Sequence, residues 1–253
     1  MSDDNPLLRA QELSRMELPK RFYKDVTVRA TEGGHDVLLD NRPLKTPARN
    51  PLSVPTDMLA RLIADEWDAQ LEVVNPATMP VTRLANTAID GVRTVKAEVA
   101  RDVAAYACSD LVCYRAESPD SLIAAQREAW DGLINWFNER FGMQLVLAEG
   151  VMPISQDVEA ADGIAQQLET LSAIELAALH TLTTLSGSAV LALAVREGRT
   201  SPDSAWEAAH VDEDWQMRQW GEDAEAMARR AARKREFDAA ANVMAALQPG
   251  NAG

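Results

Sequence analysis

A change of pattern near Thr56 constrains the fold of this 253-residue chain more than any other feature. Before it, residues 20–55 are rich in Val, Thr and aromatic residues and contain turn signals such as Gly33-Gly34 and Asn41-Arg42-Pro43. From Thr56 onward, apolar residues recur at helical spacing. The sequence therefore predicts an α+β fold. A small antiparallel β-rich N-terminal domain over residues 1–55 precedes a larger all-helical C-terminal domain over residues 56–253.

Local signals predict where individual elements begin and end. Strands are expected at Phe22–Thr31 and His35–Asp40, then in two shorter segments ending at Val54-Pro55, with another short strand at Gln144–Leu147. Helix starts are expected at Thr56, Ser118-Pro119, Ser172 with Glu175, and Ser201-Pro202. One long helix is expected over about Asp212–Leu247.

The charge of the chain excludes some classes of protein. There are 25 basic and 39 acidic residues, for a formal charge of −14. Such a balance argues against a general nucleic-acid binder and against docking on an anionic membrane. Residues 1–60 have a net charge of zero, with nine basic and nine acidic side chains, so the remainder of the chain has the whole net negative charge.

The chain also lacks the usual targeting signals. No apolar run approaches the ~18–20 residues of a membrane span. The acidic stretch Met1–Pro6 resembles neither a secretory signal nor a mitochondrial presequence. We therefore expect a bacterial cytoplasmic protein.

Catalytic motifs are absent from the sequence. It contains no phosphate-binding glycine loop, no zinc-protease motif and no nucleophile elbow. His210, Asp212 and Asp214 could together hold a metal ion, although acidic residues at a helix start also favour the helix dipole. We expect a protein that is not an enzyme, with no cofactor and no metal. The alternative is a small metal-dependent hydrolase that uses these three residues.

Polar side chains interrupt two apolar helical faces. In the Thr56 helix, Glu66 and Gln70 fall near the middle of the apolar face. They either cap backbone groups and pair within the core, or belong to a surface that meets another protein. Gln126 lies similarly among apolar residues of the helix that follows Ser118, where a hydrogen bond in the core is the simpler interpretation.

The last predicted helix has an apolar stripe that includes Met217 and Trp220, with Glu213 on the same side. Glu213 is either a first-turn acid on the helix dipole or a carboxylate on a recognition surface, since Met and Trp are favoured in protein interfaces. Four basic residues of this helix lie opposite the stripe and are interpreted as a solvated face; they are Arg229, Arg230, Arg233 and Lys234.

An ordered series of short motifs over about residues 20–225 resembles one known family. The motifs are Arg21-Phe22-Tyr23-Lys24, Leu39–Pro47, Glu66-Trp67-Asp68-Ala69-Gln70, Met79-Pro80-Val81-Thr82, Asp110–Arg115, Gln126 with Trp130, Ser186-Gly187-Ser188, Asp214-Trp215-Gln216 and Trp220-Gly221. This series resembles the assembly chaperone for the alpha subunit of the F-type ATP synthase catalytic head.

The resemblance implies a non-catalytic chaperone. Such a protein binds the unassembled alpha subunit, shields the surface that later meets the beta subunit, and is released as the catalytic hexamer forms. The family fold has a small β-rich domain and a helical domain, and its eukaryotic members are mitochondrial. A structural subunit of a stable complex is a further alternative.

The resemblance also points to site residues. The family has a four-residue segment made of Glu, any residue, an aromatic residue and Gln, and its acidic residue is associated with function. The matching position here is Glu213, with Asp212 and Asp214 as neighbouring alternatives. The predicted partner-binding residues are Glu213, Asp214, Gln216, Met217, Trp220, Glu66 and Gln70.

Overall fold

A four-stranded antiparallel sheet forms near the N-terminus. The computed structural model describes residues 18–150 and 155–248, and within them the sheet consists of β1 (Val26–Thr31), β2 (Gly34–Leu39), β3 (Arg42–Pro43) and β4 (Ser53–Val54). Strand β1 pairs with one edge of β2, while β3 and β4 share its other edge. Asp40 and Asn41 connect β2 to β3 with positive φ angles, as a type I′ hairpin turn requires. The predicted antiparallel sheet is confirmed.

Helices account for most of the remaining described residues. They are α1 (Asp57–Asp68), α2 (Pro80–Asp90), α3 (Lys96–Tyr106), α4 (Asp120–Phe141), α5 (Val158–Leu168), α6 (Ala173–Ser186), α7 (Ala189–Arg196), α8 (Pro202–Ala209), α9 (Val211–Trp220) and α10 (Ala224–Ala246). The α+β fold class is therefore confirmed.

Most of the predicted helix caps are present. The Thr56 hydroxyl accepts the N–H of Leu59, and Ser172 and Glu175 form a complete capping box. The Thr56 hydroxyl also donates a hydrogen bond to the carbonyl of Ala246, which joins the start of α1 to the end of α10. Ser118 does not cap α4, because Pro119 occupies the N-cap position.

Two predicted elements are wrong. The helix expected over Asp212–Leu247 is two helices, because Gly221 ends α9 with a φ of +90° and the Asp223 carboxylate caps α10. The strand expected at Gln144–Leu147 is instead β6 (Ala148–Glu149), which pairs in parallel with β5 (Tyr114–Arg115).

The buried core is continuous from the sheet into the helices. Val37 and Leu39 of β2 belong to the same buried cluster as Leu59 and Ile63 of α1. Helix α10 packs against α6, α2 and α1. The domain boundary at residue 55 stays a prediction. Among the described helices, none combines the length and apolarity that crossing a membrane requires.

Candidate partner-binding surface

Helix α9 lies on the body of the protein without contributing a buried residue. Its ten residues are all exposed or half-buried. Two tryptophans, Trp215 and Trp220, contact each other edge to face with ring centres 5.9 Å apart. Because aromatic rings are usually buried in folded proteins, an accessible pair on such a helix is a candidate contact for another protein.

Polar contacts hold α9 in place. The Gln126 amide donates to the Asp212 carboxylate at 2.7 Å, and the Trp215 indole donates to the Ser121 hydroxyl at 3.1 Å. From α10, Arg230 forms an ion pair with Asp214 in which both side chains are mostly buried. These contacts leave the opposite side of α9 free to form a surface.

A cavity of about 300 Å³ lies between α9 and the start of α10. Met217, Trp220 and Met227 supply its apolar lining, and Glu213 and Arg230 are among its polar lining residues. Trp220 is 76% exposed. Methionine adapts to different shapes and tryptophan offers a large rigid face, so this lining is suited to an incoming apolar side chain.

Two exposed acidic residues line this cavity, Glu213 and Asp223, and the Asp223 carboxylate caps α10. The Glu213 side chain is 61% exposed, and in the described part of the chain the basic group within ion-pair distance is His210 Nε2, 3.9 Å away. Burial lowers the pKa of His210, whose Nδ1–H donates to the carbonyl of Trp206 at 2.7 Å. His210 is therefore neutral at pH 7, and the charge of Glu213 remains available to a cation from a partner.

The structure groups most of the residues predicted at this end of the chain. Glu213, Gln216, Met217 and Trp220 line the same cavity. Asp214 does not line it, because its carboxylate is engaged by Arg230. The interpretation of Arg230 as part of a solvated face is wrong, since it pairs with Asp214 and lines the cavity.

Glu66 and Gln70 lie at a different place, the junction of α1 and α2. The Glu66 carboxylate accepts the backbone N–H groups of Val81 and Thr82, both at 2.7 Å, and so caps α2. Burial raises the pKa of Glu66, although these hydrogen bonds oppose the shift. Gln70 is buried and bonds to the carbonyl of Glu66. These contacts match the backbone-capping interpretation of the two residues, and their predicted role in partner binding stays a prediction.

Asp110, the first residue of the Asp110–Arg115 motif, is fully buried and was not predicted to have a role of its own. Its carboxylate accepts the backbone N–H groups of Val112 at 3.2 Å and Val190 at 3.0 Å, and a hydrogen bond from Ser188. Burial raises its pKa from an ordinary 3.8 to about 6, against these hydrogen bonds. Asp110 thus joins the Asp110–Arg115 motif to the Ser186-Gly187-Ser188 motif, which are distant in sequence.

Gln126 and Trp130, another recognised motif, support the site from α4. Gln126 is buried and accepts the backbone N–H of Ala116, as well as donating to Asp212. The Trp130 indole donates to the carbonyl of Ala208 at 2.7 Å, in the last turn of α8. The predicted core hydrogen bonding of Gln126 is confirmed, and the two residues fix the point where α9 begins.

The alternative of a metal-dependent hydrolase does not fit these contacts. His210, Asp212 and Asp214 each bond to a different protein group, and across residues 18–150 and 155–248 no three His, Cys, Asp or Glu side chains are grouped as metal ligands. The three side chains are therefore not directed at one common point, as the ligands of a single metal ion must be.

Comparison with known proteins identifies a family and several relatives that this chain resembles. The family described as ATP12 chaperone protein matches residues 20–138. A curated relative, "Protein atp12, mitochondrial" of Schizosaccharomyces pombe, is 27% identical over 214 residues, which cover 80% of this chain and 74% of the relative.

Solved structures extend the similarity over nearly the whole fold. The Atu1473 protein of Agrobacterium tumefaciens, described as a chaperone candidate, is 50% identical with a TM-score of 0.87, covering 98% of this chain and 93% of that one. Atp12 from Paracoccus denitrificans is 39% identical with a TM-score of 0.85, covering 91% of this chain and 99% of that one. A point variant of the Paracoccus protein has a TM-score of 0.84. The matching family is described as a chaperone and the Agrobacterium protein as a chaperone candidate, which overturns the hydrolase alternative.

Proposed function

Because the chain belongs to the ATP12 chaperone family, we propose that it binds the unassembled alpha subunit of the F-type ATP synthase. In this proposal it acts in the bacterial cytoplasm, shields the surface of the alpha subunit that later meets the beta subunit, and leaves as the catalytic hexamer forms. It acts as a chaperone and not as an enzyme.

The cavity between α9 and α10 is the observation on which this function depends. Met217, Trp220 and Met227 give this cavity an apolar lining, and Trp220 is 76% exposed. Insertion of a client side chain there would remove its apolar surface from water. This burial stabilises the complex by about 25 cal/mol per Å² of apolar surface. Glu213, at the same cavity, would pair with a neighbouring cation of the client.

The charged groups around this lining would make the contact with the client specific and also keep it weak enough for the client to be released. A free subunit with an exposed interface is prone to aggregation, and a transient binder lowers its free concentration by mass action. The chaperone must bind more weakly than the beta subunit does. A small apolar cavity beside charged side chains gives recognition without the area of a permanent interface.

Binding of the purified alpha subunit tests the proposal. Glu213→Lys should weaken binding at least about 30-fold, which corresponds to about 2 kcal/mol. Glu139→Lys is the matched control, because Glu139 is an exposed α4 residue outside the cavity and the charge change is identical. Absence of binding by the unchanged protein would refute the function. Equal binding by both variants would refute the role of Glu213.

Addition of the beta subunit separates a chaperone from a structural subunit. We expect the beta subunit to displace the protein from the alpha subunit as the hexamer forms. Size-exclusion chromatography of the mixture should then recover the protein free. Continued elution with the assembled hexamer would support a permanent subunit instead.

A further inference from the structure

An exposed apolar surface lies at the N-terminal side of the fold, away from the residues of the α9–α10 cavity. Residues 19–21 pair with residues 72–74 in antiparallel fashion, through Arg21 N–H to Glu72 O at 2.9 Å and Val74 N–H to Pro19 O at 2.8 Å. Phe22 and Leu71 are the next residues beyond this pairing on the two segments. The exposed fractions in this surface, called the N-terminal patch, are Leu18 41%, Phe22 71%, Leu71 82% and Val73 38%.

A cleft of about 570 Å³ adjoins the patch at Phe22. Its walls include Tyr23 and Trp67 on one side and the β2–β3 turn region with Arg42 and Lys45 on the other. The aromatic residues are fixed, because the Tyr23 hydroxyl donates to the carbonyl of Trp67 at 2.6 Å. The cleft therefore adjoins the patch through Phe22 and has both apolar and charged lining residues.

The cleft is bordered by two exposed cations, Arg42 and Lys45. Neither forms an ion pair with any residue that the structure describes. The nearby Asp40 carboxylate accepts the backbone N–H groups of Lys24 and Asp25, both at 3.0 Å, and its charge attracts Arg42 without forming an ion pair with it. A carboxylate from another protein would therefore find two available cations there.

The local charge contrasts with that of the whole chain. Residues 18–55 contain seven basic and four acidic side chains, whereas the full chain has a net charge of −14. The acidic remainder repels an acidic partner, so a carboxylate-bearing segment is attracted to this region in preference to the rest of the surface. The α9–α10 cavity, with its exposed Glu213, instead attracts a positively charged group of the client.

We infer that the N-terminal patch and its cleft are a second contact surface for the client, and that they bind a segment with apolar side chains next to carboxylates. The inference rests on the proposed function for the identity of the client, the alpha subunit. Two surfaces of opposite charge preference would bind the client in one orientation, because reversal would place like charges together.

Two variants test the apolar and the charged parts separately. Phe22→Ser with Leu71→Ser removes the most exposed apolar side chains, and Arg42→Glu with Lys45→Glu reverses the cations. The control is Arg101→Glu with Arg235→Glu, since these exposed arginines also lack ion-pair partners among the described residues and give the same change in net charge.

Affinity for the purified alpha subunit is measured at low and at high salt. Each patch variant should bind at least tenfold more weakly than the unchanged protein, while the control binds within about twofold. The loss from charge reversal should shrink at high salt, because exposed charges are screened, and the loss from the serine variant should persist. If one variant does not fold, the other decides.

Three outcomes would overturn the inference. If the unchanged protein binds the alpha subunit and both patch variants bind equally well, the second surface is refuted and the proposed function stands. If the unchanged protein does not bind the alpha subunit, the proposed function and this inference both fail. If sedimentation shows a dimer that the serine variant abolishes, the patch serves a second copy of the chain.

Discussion

The Asp110 carboxylate accepts the backbone N–H of Val190, 80 residues later in the chain, at a distance of 3.0 Å. Val190 lies in the first turn of α7, whose free N–H groups and dipole favour a negative side chain. The contact is fully buried. It secures the connection between α6 and α7 to the loop before β5.

Asp110→Asn should destabilise the protein. The amide retains one acceptor oxygen and places an NH₂ group among backbone donors, which costs about 1–3 kcal/mol. Chemical denaturation at pH 7.5 measures this loss. Stability equal to that of the unchanged protein would mean that the carboxylate is not needed at this position.

The same variant tests the pH dependence. The folded-state pKa of Asp110, about 6, lies above its ordinary value of 3.8. The folded state therefore binds more protons between these values, and the stabilisation is present at low pH and lost as pH rises toward 6. From pH 5 to pH 7.5 the advantage of the unchanged protein over Asp110→Asn should shrink by about 1 kcal/mol. A constant difference would contradict the raised pKa.

Glu66→Lys should destabilise the fold far more than a surface change. It would remove the cap of α2 and place an unpaired cation in a largely buried position, at a cost of about 3 kcal/mol or more. Asp65→Lys is the control, because the adjacent Asp65 is exposed, and its effect should stay within about 0.5 kcal/mol. Denaturant midpoints of the two variants decide the matter. Similar midpoints would assign Glu66 to an accessible surface.

Trp220→Ala and Trp130→Ala should affect different properties. Trp220 is 76% exposed, so its removal should change stability by less than about 0.5 kcal/mol and weaken client binding at least about tenfold. Trp130 is fully buried, and its removal should cost about 3–5 kcal/mol of stability. Thermal unfolding and client affinity are measured for both. Unchanged client binding by Trp220→Ala would exclude this side chain from the interface.

Exchange of the two charged residues should restore part of the stability that is lost when either member of the Asp214–Arg230 ion pair is replaced. Both side chains are mostly buried, with 27% and 17% exposed, so either single replacement leaves the other charge without its partner. We expect Asp214→Arg combined with Arg230→Asp to regain at least about 1 kcal/mol relative to the sum of the single changes. A double-mutant cycle of unfolding free energies measures this coupling. Additive effects would show that the pair does not anchor α9 to α10.

Short-range signals explain what could be predicted from the sequence. The Ser172 and Glu175 capping box needs residues only three apart, and the switch at Thr56 needs only a change of period. The break at Gly221 also has a local signal, a glycine followed by Asp223 as a cap, but the apolar stripe continues across it and favours a single helix. Patterns within one or two turns are visible because their partners are neighbours in sequence.

Long-range contacts explain what could not be predicted. The role of Asp110 depends on Val190, and the anchoring of Asp214 depends on Arg230 across a helix break. Spacing in the sequence cannot show which distant backbone N–H meets a carboxylate. Met217 and Trp220 share an apolar stripe that is visible in the sequence, but the cavity that they form with Met227 depends on the helix break at Gly221.

The bond from Thr56 to Ala246 has a consequence for how the protein is made. Helix α1 completes its environment only when α10, with buried Phe237 and Val243, is in place. During synthesis α10 leaves the ribosome long after α1, because helices α2 to α9 are translated between them. The core around α1 therefore closes only after α10 has been made, and α1 stays without its full packing while the intervening elements emerge.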